Sequence, residues 1–293
     1  GLAVLAFAAG RCLGQPADGP AASAVGVHWL ESAPAAPDGV QWGVPWPEGK
    51  VHKQDPLALR GADGKAVAMQ SWPLAYWPDG SIKWSGCAIG VGPGEVSGMA
   101  GPFTVSVGQG PAAAQPIAVK EDASGVEVDS GALHCRFVPG GAAVMQSLAI
   151  GDRTVAEKGE LVMQLEDRSQ AGQGILRTVG FTSKVTKVTV EQSGPVRAVI
   201  KVEGMEAQDA SPVATNVDKP GRTFLPFVMR FYFYAGTDAV RMVHSFIFDG
   251  DQEKDFIKGM GLRFAVPLKE ELHNRHVRFV GEGTGVWRQP VRL

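Results

Sequence analysis

Six of the seven tryptophans fall at positions 29, 42, 46, 72, 77 and 84, with Tyr76 among them. Two strings, Trp42-Gly43-Val44-Pro45-Trp46-Pro47 and Trp72-Pro73-Leu74-Ala75-Tyr76-Trp77-Pro78, interleave aromatic rings with prolines. Proline cannot donate to a strand ladder and favours edges and loops, so some of these rings are expected near the surface. A flat ring held there stacks against the C–H face of a sugar while the sugar hydroxyls reach polar neighbours. Trp42, Trp46, Trp72, Tyr76 and Trp77 are therefore the candidate substrate-binding residues. The core of a small β domain needs large side chains as well, and that need accounts for much of the set.

A second concentration of chemistry lies on a hairpin, where segments 227–234 and 239–248 flank Ala235-Gly236-Thr237-Asp238. Pairing Tyr234 with Ala239 sets Tyr232 opposite Arg241 and Arg230 opposite Val243 on a polar side. Met229, Phe231 and Phe233 then share the apolar side with Val240, Met242 and His244. A slip of one residue would exchange the faces, so the turn carries the assignment. His244 reads as a hydrogen-bonded core residue in preference to a base.

Next along the chain, carboxylates at Asp249, Asp251, Glu253 and Asp255 alternate, a spacing that invites calcium. The calcium-loop template fails, because Lys254 stands where the turn glycine belongs and Met260 where the bidentate glutamate belongs. A solvated acidic turn is the preferred reading. Asp249 and Asp251 are the nearest things to metal ligands, and the sequence assigns neither metal nor cofactor.

These residues must be positioned mainly by strands. The 293 residues include 38 Gly and 20 Pro, and each costs a helix interior roughly 1 and 3 kcal/mol respectively. Turn signals recur at Ala36-Pro37-Asp38-Gly39, Ala62-Asp63-Gly64 and Pro78-Asp79-Gly80, as a small barrel or sandwich requires. Gly/Pro-rich stretches at 92–101 and 108–116 mark a domain boundary, after which longer alternating strands predict an antiparallel sheet or sandwich. The expected division is 25–105 and 115–293, with 206–222 a long surface loop.

Residues 1–24, an apolar run followed by an Ala/Gly/Pro-rich stretch, look like the tail of a secretory leader without structure of its own, which predicts a secreted or periplasmic protein. A membrane span needs about 20 consecutive apolar residues, and only 1–9 resembles part of one. With 28 Lys+Arg against 30 Asp+Glu and no basic block, nucleic acid is excluded as a partner. Cys87 and Cys135 either form one disulfide or remain buried thiols. No zinc spacing, phosphate loop or hydrolase elbow is present.

The strings Gln41 to Gly49, Gln70 to Trp84 and Phe248 to Phe256 resemble the exo-rhamnogalacturonan lyase and YetA-like proteins grouped with polysaccharide lyase family 26. The resemblance runs from about residue 25 to the end. It implies an N-terminal RIFT-type barrel, a central β-sandwich and then a helical toroid domain, which this sequence does not reach. It also implies β-elimination at a uronate of rhamnogalacturonan, in which a base takes the proton α to the carboxylate and the bond to the 4-oxygen breaks. That chemistry needs a cation at the carboxylate and a proton donor beside the leaving oxygen. Arg230, Tyr232, Arg241 and Tyr234 supply those residue types, with His244, Lys258 and Arg263 behind them. A cross-strand surface cluster uses the same types and is the preferred reading, so the catalytic residues are unassigned and the toroid is their expected home. The implied partners are a polysaccharide and that toroid domain; the alternative is a carbohydrate-binding or structural β module.

Overall fold

The structure, a computed structural model, describes residues 5–6, 24–33, 38–91, 101–209, 221–277 and 291–292. Among them there is no α-helix, and apart from two 3₁₀ turns every regular element is a strand. Of the expected turn at 36–39 and surface loop at 206–222, residues 38–39 and 206–208 are instead strand, while 34–37 and 210–220 lie outside the described residues, as do 92–100 and most of the leader-like segment. Leu5–Ala6 of that segment pair with Ala24–Trp29, so this part of it is strand rather than unstructured chain.

The first eight strands are β1 (Leu5–Ala6), β2 (Ala24–Trp29), β3 (Asp38–Pro45), β4 (Leu57–Gly61), β5 (Ala66–Val67), β6 (Gln70–Tyr76), β7 (Ile82–Val91) and β8 (Phe103–Val107). They form two antiparallel sheets, ordered β1-β2-β8-β4-β5 and β3-β7-β6. Val27, Trp29, Trp42, Trp46, Ile89 and Phe103 fill the space between them. The short turns work as their residues require: Asp79 accepts from both the backbone N–H and the hydroxyl of Ser81, and Gly80 takes φ 85.

From residue 118 onward the strands are β9 (Ala118–Asp122), β10 (Gly125–Asp129), β11 (Leu133–Phe137), β12 (Ala143–Ile150), β13 (Arg153–Asp167), β14 (Arg177–Gln192), β15 (Arg197–Gln208), β16 (Thr223–Tyr234), β17 (Arg241–Phe246) and β18 (Asp255–Ala265). A small pair, β19 (His276–Val277) and β20 (Val291–Arg292), follows. The first half of β13 pairs with β12 and its second half with β14, while β18 runs along its other edge. This shared strand lets β9–β12 fold over β14–β17 as a second layer. Alternating residues from both layers meet in the core, where Phe137 lies 5.0 Å from Phe231 and 6.0 Å from Phe233.

Cys87 and Cys135 are buried free thiols, one in each core. Burial pushes each thiol up to about 12, so neither supplies a thiolate near neutral pH.

Candidate functional site

The hairpin pairs as its turn dictates: Tyr232 lies opposite Arg241, Arg230 opposite Val243, Met229 opposite His244 and Phe231 opposite Met242. The polar side, however, divides into two unlike halves. Arg230 donates from Nε and Nη2 to both oxygens of Glu191, at 2.7 and 3.0 Å. Lys201 reaches Glu191 at 3.8 Å and Glu203 at 3.2 Å. The Arg230 bonds hold the Glu191 carboxyl below the usual carboxylate range. Arg230 is thus neutralised in a surface network and leaves little charge for a substrate.

Tyr232 and Arg241 belong to the other half, together with a residue that sequence reasoning missed. Arg197, at the start of β15, places its guanidinium carbon 5.0 Å from the Tyr232 ring centre and 4.8 Å from that of Trp72. Arg241 approaches Tyr232 from β17 on the other flank, at 5.7 Å. Indole, guanidinium, phenol and guanidinium therefore follow one another across the seam between β6 and the sandwich. Each contact of this type contributes about 0.5–2 kcal/mol, more as water is excluded.

β6 is fixed to the sandwich beside this ladder. The Gln70 side-chain oxygen accepts from the backbone N–H groups of Val196 and Arg197, at 3.0 and 2.8 Å. Gly39 and Gly90 complete the seam. A Cβ at Gly39 would strike the Tyr234 ring, and one at Gly90 would come within 2.4 Å of the Ala235 carbonyl oxygen.

That packing corrects the place of Tyr234. Its parity does put it on the side of Tyr232, but β3 covers it, leaving it 2% exposed. Burial raises its phenol above the ordinary value, an effect partly offset by the nearby Arg197. It cannot reach solvent as an acid.

His244 is also corrected. It lies on the apolar side, half-buried, stacked 5.5 Å from Phe246 and edge-on 6.1 Å from Phe227, but its buried Nε2 has no hydrogen-bond partner among the described residues. Burial lowers its pKa. Lys258 and Arg263 sit on β18, at the opposite edge of the layer from β17, and Arg263 pairs with Glu160 at 2.6 Å.

Most tryptophans are structural. Trp42 is buried, and Trp46, at 2% exposure, donates from its indole to Ser85 Oγ. Pro45 ends β3 and Pro47 follows in a turn, so the prolines mark a strand end without lifting the rings into solvent. Trp77 donates to the Trp46 carbonyl at 2.9 Å, with Lys83 over its ring at 4.5 Å. Trp72 faces the ladder. Tyr76, 47% exposed, is the member of the predicted set that presents an open surface.

In the acidic run, Asp249 Oδ1 accepts from the backbone N–H of Leu225, a buried residue at φ 50. Asp251 accepts from Glu253 N and pairs with Lys254. Asp255 is not solvated as the sequence suggested: it is buried and bonded to both terminal nitrogens of Arg222. These carboxylates tie their own loop to the start of β16.

Comparison with known proteins fits this architecture. A family model for the PcRGLX-like N-terminal RIFT barrel domain matches residues 23–105, and one for the PcRGLX-like central β-sandwich domain matches residues 117–293. The chain belongs to the PcRGLX-like family. YetA of Bacillus subtilis, an uncharacterised protein, is 36% identical over 268 residues, covering 91% of this chain and 30% of YetA. The chain thus comprises the N-terminal barrel and the central sandwich of that family and spans 30% of the length of YetA.

Proposed function

We propose that this chain is the non-catalytic N-terminal part of a secreted lyase-like protein that cleaves pectic uronate glycans, rhamnogalacturonan among them, by β-elimination. The observation that carries the reading is the succession of the two PcRGLX-like domains along the chain. The chemistry of its cationic face agrees: Arg197 and Arg241, which flank Tyr232, can hold an anion, and these three residues include neither a carboxylate nor an imidazole to abstract a carbon-bound proton. The helical toroid implied by the resemblance would supply base and acid, and the present modules would hold the polymer and seat that domain. Export belongs to the same reading, because a polymeric substrate must be met outside the cell.

The test is the ultraviolet absorbance of the C4=C5 double bond that β-elimination leaves. Intact protein incubated with rhamnogalacturonan is expected to release such product, and residues 1–293 alone to release none. Absence of product from the intact protein would refute the lyase reading; continuous release by residues 1–293 would refute the non-catalytic assignment. The alternative, a carbohydrate-binding or structural module within a protein of other chemistry, is favoured by the same ladder and predicts retention on a glycan gel without any unsaturated product.

A further inference from the structure

We propose that Tyr232 and its two flanking guanidiniums, Arg197 and Arg241, form a binding site for a carboxylate-bearing glycan chain at the barrel–sandwich seam. This rests on the reading of the chain as a glycan-handling module and adds the site and the charge of its ligand. Pairing sets these two arginines apart. Arg136, Arg168, Arg222, Arg230 and Arg263 each reach a carboxylate. Arg197 and Arg241 reach none among the described residues. Arg197 donates to the neutral Gln192 side chain, and its buried Nε has no partner among the described residues. Yet Arg197 is only 7% exposed, and a guanidinium taken out of water without a counter-charge is costly. Two aromatic faces meet part of that cost. An anion drawn to the seam would meet more of it.

The shape narrows the class of anion. Arg241 is exposed on the outermost strand of its layer and presents a planar donor fork suited to a carboxylate. Tyr232 beside it, partly exposed, gives a flat face for the C–H side of a pyranose ring. Arg197, one strand further in, fixes the phenol and adds a second positive centre toward the barrel. Cation, flat ring, cation is the complement of a chain in which acidic groups alternate with apolar ring faces. Single-stranded nucleic acid also stacks on aromatic platforms, but its affinity depends on many phosphates being neutralised. The neighbouring Arg230 and Lys201 are already occupied by Glu191 and Glu203. The carboxylate glycan is the better match.

The test uses the intact protein and three probes, with binding followed by calorimetry: polygalacturonate, its methyl ester, and a single-stranded homopolynucleotide. Arg241→Gln and Tyr232→Ala are each expected to weaken polygalacturonate binding about tenfold or more. Arg241→Lys should recover part of the loss. Lys65→Gln, a like change of charge at an exposed barrel turn, should leave binding unaltered. The methyl ester should bind the parent weakly.

Arg241 is exposed, so its variants are expected to keep the parent's thermal midpoint, and Arg241→Lys guards against a folding artefact. No parental binding of polygalacturonate, equal losses in Arg241→Gln and Lys65→Gln, or tighter binding of the homopolynucleotide would each overturn the site. β-Elimination read on the same samples separates the two claims. Lyase activity with binding indifferent to Arg241 refutes this site alone, whereas Arg241-dependent binding without unsaturated product refutes the lyase reading alone.

Discussion

Glu206 shows how much one side chain can decide. It sits in β15, facing Ser183 across one neighbouring strand and Phe224 across the other. It is 1% exposed, and neither carboxylate oxygen has a partner among the described residues. Burial, with Asp209 nearby, raises its carboxyl to about 7. An unfolded glutamate titrates near 4.3, so between those values the folded chain holds a proton that the unfolded chain has lost. The native state is therefore stabilised below the lower value and progressively weakened as pH rises through the upper one. Glu206→Gln is expected to raise the thermal midpoint at pH 8, by up to the equivalent of about 3 kcal/mol, and to change little at pH 4. Parallel scans of both proteins at the two values check this. Asp255 runs in the opposite sense: Arg222 depresses its carboxyl, so its contribution is present above the ordinary carboxylate range and is lost as pH falls through the depressed value.

The aromatic residues separate in the same way. Trp46→Ala removes a buried indole and its bond to Ser85, and is expected to cost about 3–5 kcal/mol. Tyr76→Ala, at an exposed position, should stay within about 0.5 kcal/mol. Denaturant midpoints distinguish them. Proline spacing alone did not reveal this difference, because Pro45 and Pro47 signal where β3 stops, whereas burial of Trp46 depends on β7 bringing Ser85 alongside it.

At the scale of elements, the hairpin was legible because a tight turn sets register, and register sets every cross-strand neighbour. The parity of Tyr234 followed from it, but its burial did not: β3 belongs to the other half of the chain, and nothing near position 234 encodes what packs there. Arg197 was missed for the same reason. In sequence it is an ordinary strand residue after Pro195 and Val196; its role comes from Trp72, more than a hundred positions earlier, held in place by Gln70. The seam that makes these contacts has little slack. Gly90→Val would drive a side chain into the Ala235 backbone, and is expected to loosen the seam and weaken glycan retention together with stability. Comparison with Gly64→Ala, a turn position with open space around it, separates seam damage from backbone strain.

For the molecule as a whole, alternation and turn spacing were enough to read an all-β chain and its order of units, because each depends on residues a few positions apart. We expect limited proteolysis to cut first within 109–116, between β8 and β9, where all but one of the residues are exposed. Mass analysis of the fragments checks this, and initial cleavage inside 70–84 would contradict it. The continuous sharing of β13 between two layers has a different outcome for the larger half. Along one edge it pairs first with β12 and then with β14, and along the other with β18, so neither layer can open at that strand while the other stays closed. Deuterium should therefore enter β13 last and at one common rate along its length, even though the strand extends across two separate hydrogen-bonding neighbourhoods.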